Sequence, residues 1–327
     1  MNISFSTKVN IQTLNARVGY GEKGVALGSC FANNIGGKLS EGKFDFLINP
    51  VGITYNPASL SALINRALEG KTYSSGDFFE HEGLWKSYDF HSDMAHESLD
   101  DTCQRINEAM KHLREYLMSS KTIIITLGTS WIYNLVDTGK VVTNCHKQAA
   151  SNFKRQRLSV SEMEQHLWSA LDALFAVNPN VNILMTVSPI RHLKDGAAEN
   201  QVSKASLLLA TNQLCDRFQN VEYFPAYEIM IDELRDYRFY ADDMIHPSSL
   251  AIEIIWQKFL DTVASDKTRN LYNDVMRIVA AAKHIPRSCN SLDYKKFKAK
   301  SLSRISELEE ECKSLDFGEE KKYFSSS

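Results

Sequence analysis

What this 327-residue chain lacks narrows it first. No apolar run approaches the length of a membrane span, so no transmembrane helix is expected. The N-terminus, Met1-Asn2-Ile3-Ser4-Phe5-Ser6-Thr7-Lys8, lacks the basic segment and long apolar stretch that a secretory signal needs. Neither charge is in excess: 37 Lys and Arg stand against 40 Asp and Glu, for a net charge of -3. That balance points to neither nucleic acid nor an anionic membrane as a partner. The six cysteines, at 30, 103, 145, 215, 289 and 312, include no C-x-x-C pair. Dispersed cysteines in a chain of this size suit reduced thiols, and a cytoplasmic protein is expected. Only 7 prolines and 15 glycines occur, and no repeat or low-complexity stretch divides the chain.

What is present is material for a core. Hydrophobic residues make up 43% and charged residues 24%, enough for one large domain and a smaller appendage. Val25 to Leu27, Thr122 to Leu127, Asn182 to Val187 and Glu222 to Phe224 read as short strands, the second almost continuously apolar and β-branched as expected of one buried on both faces. Between them lie stretches with apolar residues at helical spacing: after Cys30, over 58–69, around Ile106 to Leu117, over 161–177, over 201–218 and after Pro247. Strands alternating with amphipathic helices predict a parallel sheet with helices on both faces. Residues 1–265 are assigned to this domain. An aromatic-rich insertion is placed at about 70–120, with Tyr73, Phe78, Phe79, Trp85, Tyr88 and Phe90 and three histidines in its first part. Residues 266–327 form a C-terminal helical extension, expected as helices over 269–283 and 294–315. Ile305, Leu308, Cys312 and Leu315 keep heptad-like spacing there, which suggests self-association or a helix packed back on the domain.

Chemistry concentrates at strand ends. Gly28-Ser29-Cys30-Phe31-Ala32 follows the first strand and opens a helix, so Ser29 stands at the carboxyl edge of the sheet. A serine hydroxyl is a weak nucleophile until a base takes its proton. Asp243-Met244-Ile245-His246-Pro247 supplies an imidazole and, three residues away, a carboxylate to orient it. Either motif alone is common; Asp242 and Asp243 would serve equally as caps of the helix starting near Ser248. Cys30 competes as nucleophile, since a helix N-terminus lowers a thiol's pKa, but a Cys30 buried behind the turn is expected. For the oxyanion, candidate donors are the Ser29 amide, the amide of Gly52 in Asn-Pro-Val-Gly, and a hydroxyl of Thr129 or Ser130 after the second strand.

The run Gly28 to Ala32 resembles the signature of the GSCFA family, a branch related to the SGNH (GDSL-type) hydrolases. Similar blocks occur at Asn49 to Pro57, Leu127 to Trp131, Asn144 to Lys147, Thr186 to His192, Asp236 to Tyr240 and Asp243 to Pro247, so the resemblance spans about residues 20–260. It implies a three-layer α/β/α sandwich with a flavodoxin-like parallel sheet and esterase, lipase or carbohydrate deacetylase chemistry. It places Ser29, Asp243 and His246 as the triad and Gly52 as the second oxyanion donor. The chain departs from the superfamily in its third block, where Ser130 stands in place of an asparagine; Asn56 or His146 is a candidate to complete the hole.

Asn144-Cys145-His146-Lys147 is a cationic loop suited to a substrate carboxylate or phosphate. A metal site shared by His146 with His91 or Cys145 has no second ligand at motif spacing, so no metal is expected. Arg191 and His192 follow the third strand and suit substrate binding or a structural pairing with Asp195. Substrate contacts are thus expected at Asn56, Thr129, His146, Lys147, Arg191 and His192, with no cofactor. The expected activity is a serine hydrolase cleaving an acetyl or related acyl ester from a small or glycan-like molecule. An acyltransferase, or a silent binding protein on the same scaffold, is the alternative.

Overall fold

The computed structural model describes residues 7–284 and 291–325; the cysteine at 289 lies outside them. The chain alternates as the sequence predicts. Strand β1 (Gly24–Gly28) leads into α1 (Cys30–Glu41), β2 (Phe46–Ile48) and α2 (Pro57–Glu69). A hairpin, β3 (Phe79–His81) and β4 (Leu84–Lys86), precedes α3 (Leu99–Ser119) and β5 (Thr122–Leu127). Three further strands follow, β6 (Trp131–Leu135), β7 (Val141–Val142) and β8 (Phe153–Arg157), then α4 (Val160–Val177), β9 (Asn182–Val187), α5 (Gly196–Arg217) and β10 (Val221–Tyr223). A single turn, α6 (Ala226–Glu228), runs into a π-helical turn over Ile229–Glu233. The chain closes with α7 (Ser249–Val263), α8 (Asp266–Ala282), α9 (Leu292–Glu311) and α10 (Gly318–Ser325).

Five strands form one parallel sheet in the order β10-β9-β5-β1-β2. Its faces are set by alternation along each strand. Val25 and Leu27 of β1, Ile123, Ile125 and Leu127 of β5, and Ile183, Met185 and Val187 of β9 join one core with α2, α3, α4 and α5. Ala26, Ile124 and Leu184, one residue out of step, join the other with α1 and α7. Both faces are covered, which is why these strands are apolar without interruption. Each fully buried large apolar side chain contributes about 1.5–3 kcal/mol of transfer free energy. The result is a three-layer α/β/α sandwich.

The strand order has a functional consequence. Counted along the chain, the sheet strands lie 2-1-3-4-5, the flavodoxin-like arrangement. Progression reverses between β1 and β5, and open α/β sheets bind ligands at the carboxyl ends of strands flanking such a reversal. Ser29 follows β1 and Gly128-Thr129-Ser130 follows β5, so both meet at this point.

The expected insertion at about 70–120 is shorter than predicted. Its β3–β4 hairpin ends before Leu99, and α3 is an integral layer helix burying Ile106, Met110, Leu113 and Leu117. A second, antiparallel sheet β7-β6-β8 appears, whose third strand the sequence pattern does not announce. Phe153-Lys154-Arg155-Gln156-Arg157 has one apolar residue and no alternation to read. The three-residue β2 was likewise too short to recognise.

The C-terminal extension builds its own core. Leu271, Val275, Ile278 and Val279 of α8 pack with Ile305 and Leu308 of α9, with Leu315 and Phe317, and with Phe324 of α10. The heptad-like stripe is therefore covered within the chain, and it is cut at Cys312, where α9 has ended. Tyr272 joins this unit to the sandwich: its hydroxyl accepts a 2.9 Å hydrogen bond from Trp256 Nε1, and its ring stacks with Phe44. No helix among the described residues is long and apolar enough to cross a membrane.

Candidate active site

The corner carrying Ser29 is shaped by Gly28. Its φ is +130°, and a Cβ there would lie 2.1 Å from the Thr126 carbonyl oxygen, so only glycine lets the strands run this close. The Gly28 N–H donates to Asn49 Oδ1 at 2.9 Å. Ser29 then caps α1; its Oγ accepts from the Phe31 N–H at 3.4 Å, and the residue is 1% exposed. Cys30 is half-buried rather than hidden behind the turn, correcting the sequence expectation. Its Sγ lies 3.4 Å from the Tyr55 hydroxyl, whose pKa is raised, first by burial and then by its contact with the thiol.

The predicted oxyanion donors do not stand free. The Ser29 N–H donates to the Thr126 carbonyl at 3.0 Å, continuing the β1–β5 ladder past the last paired residue. The Gly52 N–H closes a turn onto the Asn49 carbonyl at 2.8 Å. Gly52 is required for a different reason: with φ at +84°, it lets His91 approach to where a Cβ would meet the His91 Cβ at 2.3 Å. Ser130 is fully buried and turned onto α5, its N–H and Oγ both donating to Ser203 Oγ at 2.9 and 3.0 Å. A donor the sequence reading missed is the Cys30 amide. It is the first N–H of α1, and it has no acceptor among the described residues. The positive end of the α1 dipole supports an anion there. Gly128 also escaped notice; a Cβ on it would sit 3.2 Å from the Ser29 Cβ.

The Asp243–His246 pair is built as a rigid turn. Met244 adopts φ 57°, the Ala241 N–H donates to the His246 carbonyl at 2.8 Å, and Tyr240 and Pro247 bridge the base. Asp243 Oδ1 accepts from the Ile245 and His246 amides, each at 2.9 Å, while Oδ2 lies 2.6 Å from His246 Nδ1. Those backbone and ring hydrogen bonds, chiefly from His246, hold the Asp243 pKa down at about 2. An ionised Asp243 accepts the Nδ1–H, which leaves His246 Nε2 as the open, basic nitrogen. The cap of α7 is Ser248, accepting from the Ala251 N–H at 3.3 Å, so Asp242 and Asp243 do not cap it. Among the described residues no hydrogen bond joins Ser29 to His246; both histidine and aspartate are about half exposed.

The turn docks on the segment after β9. The Arg191 N–H donates to the Ile245 carbonyl at 3.3 Å. The His192 ring meets Tyr55 edge-on at 5.7 Å, and Tyr55 in turn reaches Cys30 and accepts the Gly128 and Thr129 amides on its carbonyl at 2.8 and 3.1 Å. His192 is thus the link between the Ser29 corner and the His246 turn. Burial, then the charges of Lys204 and His246, depress its pKa to about 4, so it is neutral at pH 7. Lys204, another residue sequence reading missed, is fully buried under this edge, its Nζ donating to the Gly128 and Ser188 carbonyls at 2.7 Å each. Burial lowers its pKa to about 7. A lysine at a buried position of an amphipathic helix was the available signal.

Several predicted substrate contacts are structural. Asn56 caps α2, accepting from the Ser59 N–H at 2.8 Å. His146 is buried, with Nε2 2.9 Å from the Ser87 carbonyl and Nδ1 3.1 Å from Ser92 Oγ, so both nitrogens are engaged in tying the insertion to its loop. Burial lowers its pKa. Lys147 is exposed with φ 60°. Thr129 Oγ1 contacts Ser203 Oγ at 3.3 Å and accepts from the Trp131 N–H at 3.2 Å. Asp195 pairs with Arg155 and not with Arg191 or His192.

A buried serine at the switch point and an Asp-His turn docked on the segment after β9 belong to a three-layer α/β/α protein. The GSCFA family matches residues 23–259, and the chain belongs to that family. Among solved structures, it is similar to an acetyl xylan esterase from the rumen bacterium Butyrivibrio proteoclasticus, with 13% identity over 74% of this chain and a TM-score of 0.37. The chain spans 63% of the length of that esterase. No curated protein matches the sequence.

Proposed function

We propose that the chain is a serine ester hydrolase of the SGNH type, removing an acetyl or similar acyl group through an acyl-enzyme. The observation that carries this is the Asp243–His246 pair, 2.6 Å apart, with the second carboxylate oxygen held by two amides. Such an arrangement fixes the tautomer in which Nε2 is basic, and it is docked through Arg191 and His192 on the edge that presents Ser29. In this reading Ser29 Oγ attacks the ester carbonyl and its proton passes to His246 Nε2. The Cys30 N–H meets the developing oxyanion. Collapse expels the alcohol, which takes the proton from His246. Water then attacks acyl-Ser29 with His246 as base, releasing the carboxylic acid and restoring the serine. For this, Ser29 Oγ must exchange its contact with the Phe31 N–H for one with the imidazole.

One observation favours a second reading. Cys30 is more exposed than Ser29, stands first in α1 and is the intrinsically better nucleophile of the two. A thiol nucleophile would use the same His246. The two are separated by labelling purified protein with a fluorophosphonate and assaying acetyl esters, using Ser29→Ala and Cys30→Ala variants. The serine reading expects Ser29→Ala to lose labelling and at least about 1,000-fold in turnover, with Cys30→Ala active. Labelling that survives Ser29→Ala but not Cys30→Ala would transfer the role to the thiol. Neither labelling nor turnover in the native chain would favour a binding protein.

A further inference from the structure

The sheet edge around His192 holds more basic groups than it has acids to match. The Arg191 Nε atom is buried without a hydrogen-bond partner, and so is the His192 Nε2 atom. Arg191 makes no ion pair among the described residues. Lys204, fully buried, donates to two carbonyl oxygens and lies 5.8 Å from the centre of the Tyr227 ring, with no carboxylate partner among the described residues. None of the carboxylates of the surrounding segments, Asp242 included, pairs with Arg191 among the described residues, and most are engaged elsewhere. Asp195 pairs with Arg155, Glu199 lies 3.4 Å from Arg157, Asp236 2.8 Å from Arg238, and Glu228 accepts from the Tyr223 hydroxyl at 2.7 Å. Asp243 serves His246.

Burying positive charge and open donors without an acceptor is costly, and the surplus has one sign. A guanidinium offers a planar fork matched to a carboxylate or phosphate, and a neutral imidazole can donate one more N–H beside it. Tyr55 carries this group toward Ser29: its ring abuts His192 and its carbonyl accepts the amide of Gly128, which faces the Ser29 side chain.

We infer that Arg191 and His192, backed by Lys204, form an anion subsite beside Ser29, so that the molecule bound there carries a carboxylate or phosphate group. That this molecule is also an acyl ester rests on the hydrolase reading; the anion subsite itself does not. Arg191 supplies the permanent charge and the bidentate contact, His192 the adjoining donor. Lys204 braces the ends of β5 and β9 from below, holding the edge on which Arg191 and His192 stand. A neutral glycan ester would leave these groups unmatched, whereas an acylated acidic sugar or other acidic alcohol would satisfy them.

The test is a binding measurement that needs no turnover. Calorimetric titration of the full chain compares 3-hydroxybenzoate, phenyl phosphate and the neutral 3-hydroxybenzyl alcohol, none of them a carboxylic ester. The subsite predicts that at least one anion binds about tenfold or more tightly than the neutral alcohol, with affinity falling as salt is raised. Arg191→Gln removes that preference. Arg191→Lys keeps the charge without the fork and gives an intermediate preference; it decides the matter if the glutamine variant does not fold. Tighter binding of phenyl phosphate names phosphate as the ligand group, and tighter binding of the benzoate names carboxylate. Equal binding of charged and neutral probes, absence of anion binding, or a preference unchanged in both variants would overturn the inference. Anion preference in a protein that turns over no ester would leave the subsite standing and remove the hydrolase reading alone.

Discussion

Asp243 separates positioning from mere presence of an imidazole. Asp243→Asn keeps the size of the side chain but permits the amide to donate to Nδ1, favouring the tautomer with Nε2 protonated. Ester turnover is expected to fall about 1,000- to 10,000-fold in kcat with a smaller change in KM. Steady-state kinetics on one acetyl ester checks it, and an unchanged kcat would remove Asp243 from the mechanism. His192 makes a pH prediction. Its folded pKa, about 4, lies below the ordinary value of 6.5, so the unfolded chain binds the proton first as pH falls. Stability is full above about pH 6.5 and declines toward pH 4, by about 3 kcal/mol in total from this group. Denaturant melts across that window, wild type against His192→Gln, should show the native slope flattened in the variant. Sequence singles out Ser29, Asp243 and His246 as candidates because they stand in short motifs, one after β1 and one in the turn before α7. The structural hydrogen bonds of Gly52, Ser130, Asn56 and His146 were not legible, because a loop residue's partner is often distant along the chain.

At the scale of elements, the Gly28 corner governs where α1 begins. An alanine there has both an unfavourable φ and a Cβ against the Thr126 carbonyl, so β1 and β5 must separate. Gly28→Ala is expected to cost about 3 kcal/mol or more and to lower the yield of folded protein, measured by thermal melting. The long helices and the buried strands β1, β5 and β9 were legible because both faces of the sheet are covered and their apolar patterns are unbroken. Strand β8 was not, since its pairing with β6 is held by backbone bonds on a charged sequence. The oxyanion region falls between these cases. Which amides are free depends on how far the β1–β5 ladder extends, and that is a property of paired elements rather than of a motif.

For the molecule as a whole, the C-terminal extension is a small separate core joined to the sandwich at Tyr272. Leu308 is fully buried in it with residues of α8, α9 and α10. Leu308→Ala is expected to cost about 2–5 kcal/mol of the extension's stability while leaving ester turnover at 25 °C intact. Thermal melts and activity on the same sample check this; a parallel loss of turnover would mean the extension shapes the site. In the proposed mechanism a serine after the first strand meets an Asp-His turn that follows the last, at one edge of the sheet. The most direct test is to quench a reaction with an acetyl ester in acid and map the acetyl group by peptide mass spectrometry. The account predicts a transient acetyl adduct on Ser29, accumulating in the native chain and absent from Ser29→Ala. An adduct on Cys30, or turnover with no adduct at all, would contradict it.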